Sequence, residues 1–565
     1  MGLNFREVPQ TPFIAFWEIK TNITTMKLNK IYILSIFAIL TSTTGCQNQE
    51  ELTPNPNIAG ETAVVPPSYL MGRILYELYQ GGGVIDGISG RVFEGPFSQL
   101  SRWNQFTVSN DTYYGGDNIY GWSFTATPYN LLKLTKKMEE QAAVSLNPER
   151  NSFKAIGKFI RAYAYVWLTQ RVGDIPTDEA GLGLNNLTPK YSTQKEVYAK
   201  ALTLLEEANT DLNALIPTIN TATNISGDIY YNNDLKKWQK AINTYKLRIL
   251  ISLSKRADDT ADLGIKQKFA DVITNPTKYP IMVGNVDNLQ FVYNAAYNQY
   301  PLSPTDFYNR NTNIGFPILD IMTKNEDPRT FVLTAPAPGL IKAGKKASDF
   351  TAYVGSNIGK PLTALAADKA SDVANSPYSY ISFLRYYQSF VGPEPNILLG
   401  YSEMCFNIAE AANRGWITSD AADFYTKGIN ASLGFYGVTD GGTIKVSDAG
   451  GSPATTVNVT ADVKKFLSNT AYKGNNADGL KQILDQKYVS FFQNSGWEAF
   501  YNWRRTGFPT SFVTSGVGLN AQGKIPMRWQ YPVDETTYNS ANAKAAIQSQ
   551  FSGNDDIFSM MWLLK

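Results

Sequence analysis

The chain has 565 residues, 51 Lys and Arg against 49 Asp and Glu, and a formal net charge of +2. No long basic run appears, so the electrostatic footprint of nucleic-acid binding is missing and nucleic acid is not an expected partner. Histidine is absent, which removes Ser-His-Asp and Cys-His nucleophiles, HExxH zinc sites and His-ligated metals, and leaves two-carboxylate chemistry as the remaining enzymatic route.

Residues 1–25 follow neither a signal pattern nor a helical one and read as an upstream extension ahead of Met26. From Met26 the pattern changes. Lys27 and Lys30 precede the apolar run from Ile31 to Leu40, which is too short to span a bilayer but suits a signal-peptide core. Small residues follow up to Gly45, and then comes Cys46. Residues 26–45 therefore read as a lipoprotein signal peptide with Cys46 as the lipidated N-terminus. The stretch resembles a bacterial lipobox, with Thr43 where an aliphatic residue is usual. Residues 46–67, rich in Asn, Pro and Thr, read as a tether, and residues 68–565 as the folded part.

Apolar residues at helical spacing predict helices over Tyr69–Tyr79, Tyr129–Val144 and Phe153–Arg171. In the second of these, Lys136 and Glu140 stand four residues apart as a surface pair. Gly173 and Pro176 stop the third. Thr193 and Glu196 form a capping box for Gln194–Leu215, Asp234 caps Leu235–Arg256, and a further pair covers Glu394–Gly415 and Ala421–Phe435. Cys405 lies on the apolar stripe of that pair and reads as a small core residue. Alanines at 155, 162, 164, 199, 201 and 208 allow close antiparallel packing. The expected fold is mainly α: tetratricopeptide-like helical pairs form an α-solenoid frame with long irregular ligand-binding loops. Those loops run over residues 80–122, 258–315, 330–392 and 437–475.

Several motifs fail their own requirements. The Gly355–Lys360 segment is one residue short of a phosphate loop and is followed by Pro361 where Ser or Thr belongs. Asp258, Asp259 and Asp262 lack the spacing and glycine of an EF-hand. Glu139, Glu140, Glu206 and Glu207 read as solvated helix faces. No metal or cofactor is expected, and no catalytic residue is identified.

Four segments, in order along the chain, resemble the SusD/RagB family of nutrient-binding outer-membrane lipoproteins, in its SusD-like branch. They are Arg171–Pro176 with Thr188–Tyr191, Asp234–Ser254, Glu394–Trp416 with its Ala409–Trp416 turn, and the run from Gln486 through Arg504–Pro509 to Arg528–Asn539. The pair Glu50 and Glu51 behind Cys46 also resembles the surface-export tag of Bacteroidetes lipoproteins. The resemblance implies a surface-exposed outer-membrane lipoprotein that binds oligosaccharide and passes it to a SusC-like TonB-dependent transporter. Within the same family, oligopeptide uptake of the RagB kind is the alternative. A surface glycosidase using two carboxylates is the alternative from another class. Arg504 and Arg505 are expected to tie helices together rather than to touch ligand.

The composition includes 33 Tyr, 29 Phe and 10 Trp, suited to stacking on sugar rings or extended peptides. The expected recognition site is the loop carrying Arg102, Trp103, Asn104, Tyr113, Tyr114, Tyr120 and Trp122, where aromatic and amide side chains concentrate in a Gly- and Asp-broken stretch. A second contribution is expected from Tyr297, Tyr300 and Tyr308, with Tyr293 and Phe307 beside them.

Overall fold

Side-chain oxygens placed one residue ahead of apolar periodic runs start most of the long helices. The computed structural model describes residues 64–79, 95–110, 122, 128–182, 185–302, 304, 311–369, 373–449, 452–513 and 523–565. The expected signal peptide, Cys46 and most of the tether lie outside these residues. The unit considered is Val65–Lys565.

Helix α1 (Pro67–Tyr79) buries Met71, Ile74, Leu75 and Leu78. A short helix, α2 (Gln99–Trp103), follows and leads into strand β1 (Thr107–Ser109). Helices α3 (Pro128–Ser145) and α4 (Ser152–Val172) pack together, with Gly157 of α4 directly beneath the Glu139 side chain of α3. Asn151 caps α4 by accepting from the Lys154 N–H (2.9 Å). Gly173, at φ 94°, ends it in a conformation that favours glycine. The turn that follows pairs β2 (Ile175–Pro176) with β3 (Tyr191–Ser192). Helix α5 (Gln194–Leu215) then starts on the capping box in full, with the Thr193 hydroxyl accepting from Glu196 N–H and the Glu196 carboxylate accepting from Thr193 N–H. Asp234 caps α6 (Leu235–Ser252), and a separate 3-10 turn, Ser254–Arg256, completes the stretch predicted as one helix. Helices α3, α4, α5 and α6 pack in succession, as tetratricopeptide-like pairs do.

The stretches predicted as irregular contain ordered elements. Helix α7 (Ile265–Thr274), β4 (Leu289–Phe291) and β5 (Thr312–Ile314) lie in the second, α8 (Phe316–Lys324) falls just after it, and α9 (Arg329–Leu333), β6 (Thr334–Ala335) and β7 (Tyr380–Ile381) lie at or in the third. Strands β1, β5, β7 and β6 form a four-stranded antiparallel sheet in that order. The segment predicted as a helix over Glu394–Gly415 begins instead with strand β8 (Asn396–Leu399), antiparallel to β4, and turns helical only at α10 (Tyr401–Asn413). Gly400 is extended at the helix start, and a four-residue apolar run has no periodicity with which to tell strand from helix. Helix α11 (Ala421–Phe435) packs on α10, and the hairpin β9 (Thr443–Ala449) and β10 (Ser452–Thr460) follows. Helices α12 (Ala477–Ser490), α13 (Glu498–Thr506) and α14 (Ser540–Phe551) complete the frame. Cys405 is fully buried, and burial pushes its thiol up to about 12, consistent with an inert core residue.

Two charge readings need correction. Lys137, not Lys136, meets Glu140, at 3.8 Å on an exposed face where such a pair contributes little. Glu139 is not on a solvated face, and Glu206 is half-exposed but engaged by partners. Glu139 is largely buried beside Arg161 (3.2 Å). Glu206 accepts from Lys246 (2.6 Å) and from the Tyr279 hydroxyl (2.8 Å).

The C-terminal residues lap back over the α4–α5 turn. Tyr531 donates its hydroxyl to the Asp174 carbonyl (2.6 Å), Gln550 accepts from Asp174 N–H (2.9 Å), and Leu563 N–H donates to the Gln194 side chain (2.8 Å). Burial pushes the Asp174 carboxyl up to about 7, partly opposed by the Gln194 N–H it accepts. The folded form therefore holds a proton that the unfolded chain releases near pH 4, so this group lowers stability as pH rises from about 4 to about 7. Asp174→Asn should flatten the dependence of melting temperature on pH across that window, checked by thermal melts of both proteins in matched buffers.

Candidate ligand-binding face

The loop expected to recognise ligand is mostly interior. Trp103 is 1% exposed, Asn104 0% and Trp122 4%. Trp103 meets Trp122 edge-on at 4.9 Å, and Trp122 in turn meets Trp529 at 4.7 Å; Trp497 also stands 4.9 Å from Trp529. These rings join α2 to α13 and the C-terminal segment. Asn104 is a clamp: its amide donates to the Gly496 carbonyl (2.9 Å) and its oxygen accepts from Phe500 N–H (3.1 Å). The Tyr488 hydroxyl donates to its backbone carbonyl (2.7 Å). Trp103, Asn104 and Trp122 are therefore corrected from ligand contacts to packing, because every face a ligand would need is covered by protein. Tyr300, 3% exposed, is corrected likewise; it lies edge-on to Tyr293 at 5.0 Å and stacks on Tyr386. Arg102 is half-buried on α2. Tyr113, Tyr114, Tyr120 and Tyr308 lie outside the described residues.

Tyr297 is different. It is 89% exposed at the tip of a turn closed by Asn294, whose N–H donates to the Asn298 carbonyl (2.9 Å). The Asn294 side chain accepts from both Ala296 N–H (3.1 Å) and Tyr297 N–H (2.8 Å). This is an Asx-type turn, which holds the ring outward on a fixed backbone. Three residues on, the buried Tyr300 donates its N–H to the Phe390 carbonyl (2.8 Å), and Phe390 and Val391 are themselves exposed. Sequence reading missed Phe390 and Val391. Their signal was an apolar pair set directly before the turn residues Gly392 and Pro393.

The buried carboxylates of α10 and α13 are engaged by arginines. Glu410 of α10 receives both guanidinium nitrogens of Arg505 (2.5 and 2.9 Å) and pairs with Arg414 at 2.9 Å. Burial alone would raise its pKa, but Arg505 and Arg414 hold it well below the usual carboxylate range. Glu403 binds the Arg248 guanidinium (2.6 Å through Nε), and Glu498 lies at the same guanidinium. Burial pushes the neighbouring Lys487 down to about 8. Arg504, brought by burial to about 10, donates to the carbonyls of Met527 (2.8 Å) and Gln170. The expectation that Arg504 and Arg505 tie helices together holds. The space among Arg248, Lys487, Glu498 and Arg505 is about 10 Å³, at most room for one water. Among the described residues no group of three His, Cys, Asp or Glu could hold a metal, and no helix is long and apolar enough to cross a membrane.

A family model described as SusD-like, starch-binding and associating with the outer membrane, matches residues 60–532. The chain belongs to this SusD-like family. Membership makes it a binding protein rather than an enzyme, in a family associated with the outer membrane. Two SusD homologues of Bacteroides fragilis are similar in structure. One is 28% identical with a TM-score of 0.74, covering 89% of this chain and 100% of its own. The other is 27% identical with a TM-score of 0.69, covering 89% and 99%. An outer-membrane protein of Bacteroides vulgatus, described as involved in nutrient binding, is 26% identical with a TM-score of 0.68, covering 89% and 100%. None of the curated proteins compared with the chain matches it. The SusD-like assignment accords with the helical pairs and with the four segments that carried the resemblance.

Proposed function

We propose that this SusD-like protein is a surface-exposed lipoprotein, anchored through Cys46, that captures oligosaccharide and delivers it to a SusC-like TonB-dependent transporter. The observation that supports capture is Tyr297, an aromatic ring 89% exposed on an Asx-type turn, three residues before the Tyr300 N–H that bonds the Phe390 carbonyl. An exposed ring on a fixed turn loses little entropy on stacking against a pyranose face. Arg102 at half exposure and the aromatics Tyr113, Tyr114, Tyr120 and Tyr308 belong to the same proposal, as the further contacts a chain of sugars would meet. Affinities in the millimolar to micromolar range correspond to about −4 to −8 kcal/mol.

Calorimetry of the full chain against a panel of starch, chitin and plant-glycan oligosaccharides tests this. Tyr297→Ala should weaken the bound member about tenfold, or ~1.4 kcal/mol, at unchanged melting temperature. Binding of oligopeptides in place of every glycan would move the assignment to peptide uptake, and appearance of cleavage products would overturn the binding-only reading. For the anchor, Cys46→Ala should shift the protein from membrane to soluble fractions, because a triacylated cysteine anchors stably where a single chain does not. Retention of the variant in membranes, after the transporter is deleted, would count against lipidation.

A further inference from the structure

A second cleft opens between the end of α8 and the hairpin β9–β10. Its volume is about 220 Å³. That is room for about seven waters at ~30 Å³ each, and it lies below the ~300–1,000 Å³ of pockets for drug-sized ligands. That space accommodates a single ring.

The walls are of two kinds. Phe331, buried, and Phe350, half-buried, form an aromatic side with centroids 4.6 Å apart. Glu326, Asn458, Asp462 and Lys465 form a polar side. Lys465 pairs with Glu326 at 2.5 Å, and the Asp462 carboxylate accepts from Lys465 N–H at 2.9 Å as a helix cap. The charges are thus answered locally. An anion entering would meet two carboxylates and an ammonium already taken, and a cation would compete with Lys465 for Glu326. A neutral polyol needs neither concession: its hydroxyls donate to the carboxylates and accept from the Asn458 amide and the Lys465 ammonium. Its C–H face can lie on Phe350. Glu326 also stands at φ 54°, just past the end of α8, where glycine is the usual residue. A carboxylate thus stands at the cleft on a backbone conformation in which glycine is usual.

We propose that this cleft binds a single neutral sugar unit, at a site separate from the Tyr297 face and independent of it. Saturation-transfer NMR on the full chain with D-glucose, D-galactose and N-acetyl-D-glucosamine tests the proposal. At least one sugar should receive saturation at millimolar concentration. Asn458→Ala, at an exposed hairpin position, and Glu326→Gln should each weaken it at least fivefold, with melting temperature confirming the fold, while Tyr297→Ala leaves it unchanged. No transfer to any of the three sugars overturns the site. So does transfer that survives both cleft variants, or that only Tyr297→Ala abolishes; the last result leaves oligosaccharide capture standing while removing the cleft. Tighter binding of acetate or methylammonium than of any sugar overturns the neutral-ligand assignment.

Discussion

Arg505→Ala is expected to lower the free energy of unfolding by about 3–5 kcal/mol, because it leaves the buried Glu410 carboxylate without its bidentate partner. Both side chains are nearly or fully inaccessible, at 3% and 0%, so water cannot substitute for the lost guanidinium. Arg414 remains beside Glu410 but from a more exposed position, and it reaches only Oε1 where Arg505 reaches both carboxylate oxygens. Arg505→Lys should recover only part of the loss, since an ammonium cannot make the paired, planar contact. The sign of the pH effect follows from the lowered Glu410 pKa. In the parent protein the pair contributes in full above the ordinary carboxylate value of about 4.3, and its contribution fades as pH falls toward the depressed one. In Arg505→Ala a protonated Glu410 needs no partner. The difference between the two proteins should therefore be largest near neutrality and shrink below about pH 4. Chemical denaturation at several pH values measures it. A constant difference across that range would mean that the loss comes from packing rather than from charge.

Trp103→Ala is expected to cost a comparable ~3–5 kcal/mol while leaving ligand affinity in the folded protein unchanged. The ring is 1% exposed and meets Trp122 in a cluster that reaches Trp529, so truncation opens a cavity between α2 and the C-terminal segment. Urea melts read the first effect, and calorimetry with whichever glycan binds the parent protein reads the second. Loss of affinity at unchanged stability would restore Trp103 to the ligand site.

Trp103 also shows what the sequence hides. An aromatic-rich stretch broken by Gly and Asp has the same composition whether its rings face ligand or core. The partners that decide the matter are about 390 positions away: Asn104 clamps onto Gly496 and Phe500, and no local pattern announces that contact. Tyr297 and Tyr300 were expected together, and only the local turn made by Asn294 separates the exposed ring from the buried one. The same contrast runs through the fold. Helices α5 and α11 begin and end where predicted because Thr193, Glu196 and Asp420 write their caps next to their periodic runs. Strand β8 was taken for helix because its identity comes from β4, more than a hundred residues earlier. Long helices up to α11 were legible; the C-terminal helices α12 and α14, the short strands and the inward or outward sense of a loop were not.

The lap of the C-terminal segment over the α4–α5 turn has a bearing on how the protein is made. Tyr531, Gln550 and Leu563 close contacts with Asp174 and Gln194 across 357 to 376 intervening positions. A chain made from its N-terminal end cannot seal that turn until its last forty or so residues (Gly523–Lys565) are available. Contacts of such sequence separation form late, after the entropy of closing a very long loop has been overcome. Until then the early helices can pair locally, yet they lack the Trp529 ring and the hydrogen bonds that lock them. The turn therefore reaches its final rigidity only when the whole chain is available to fold.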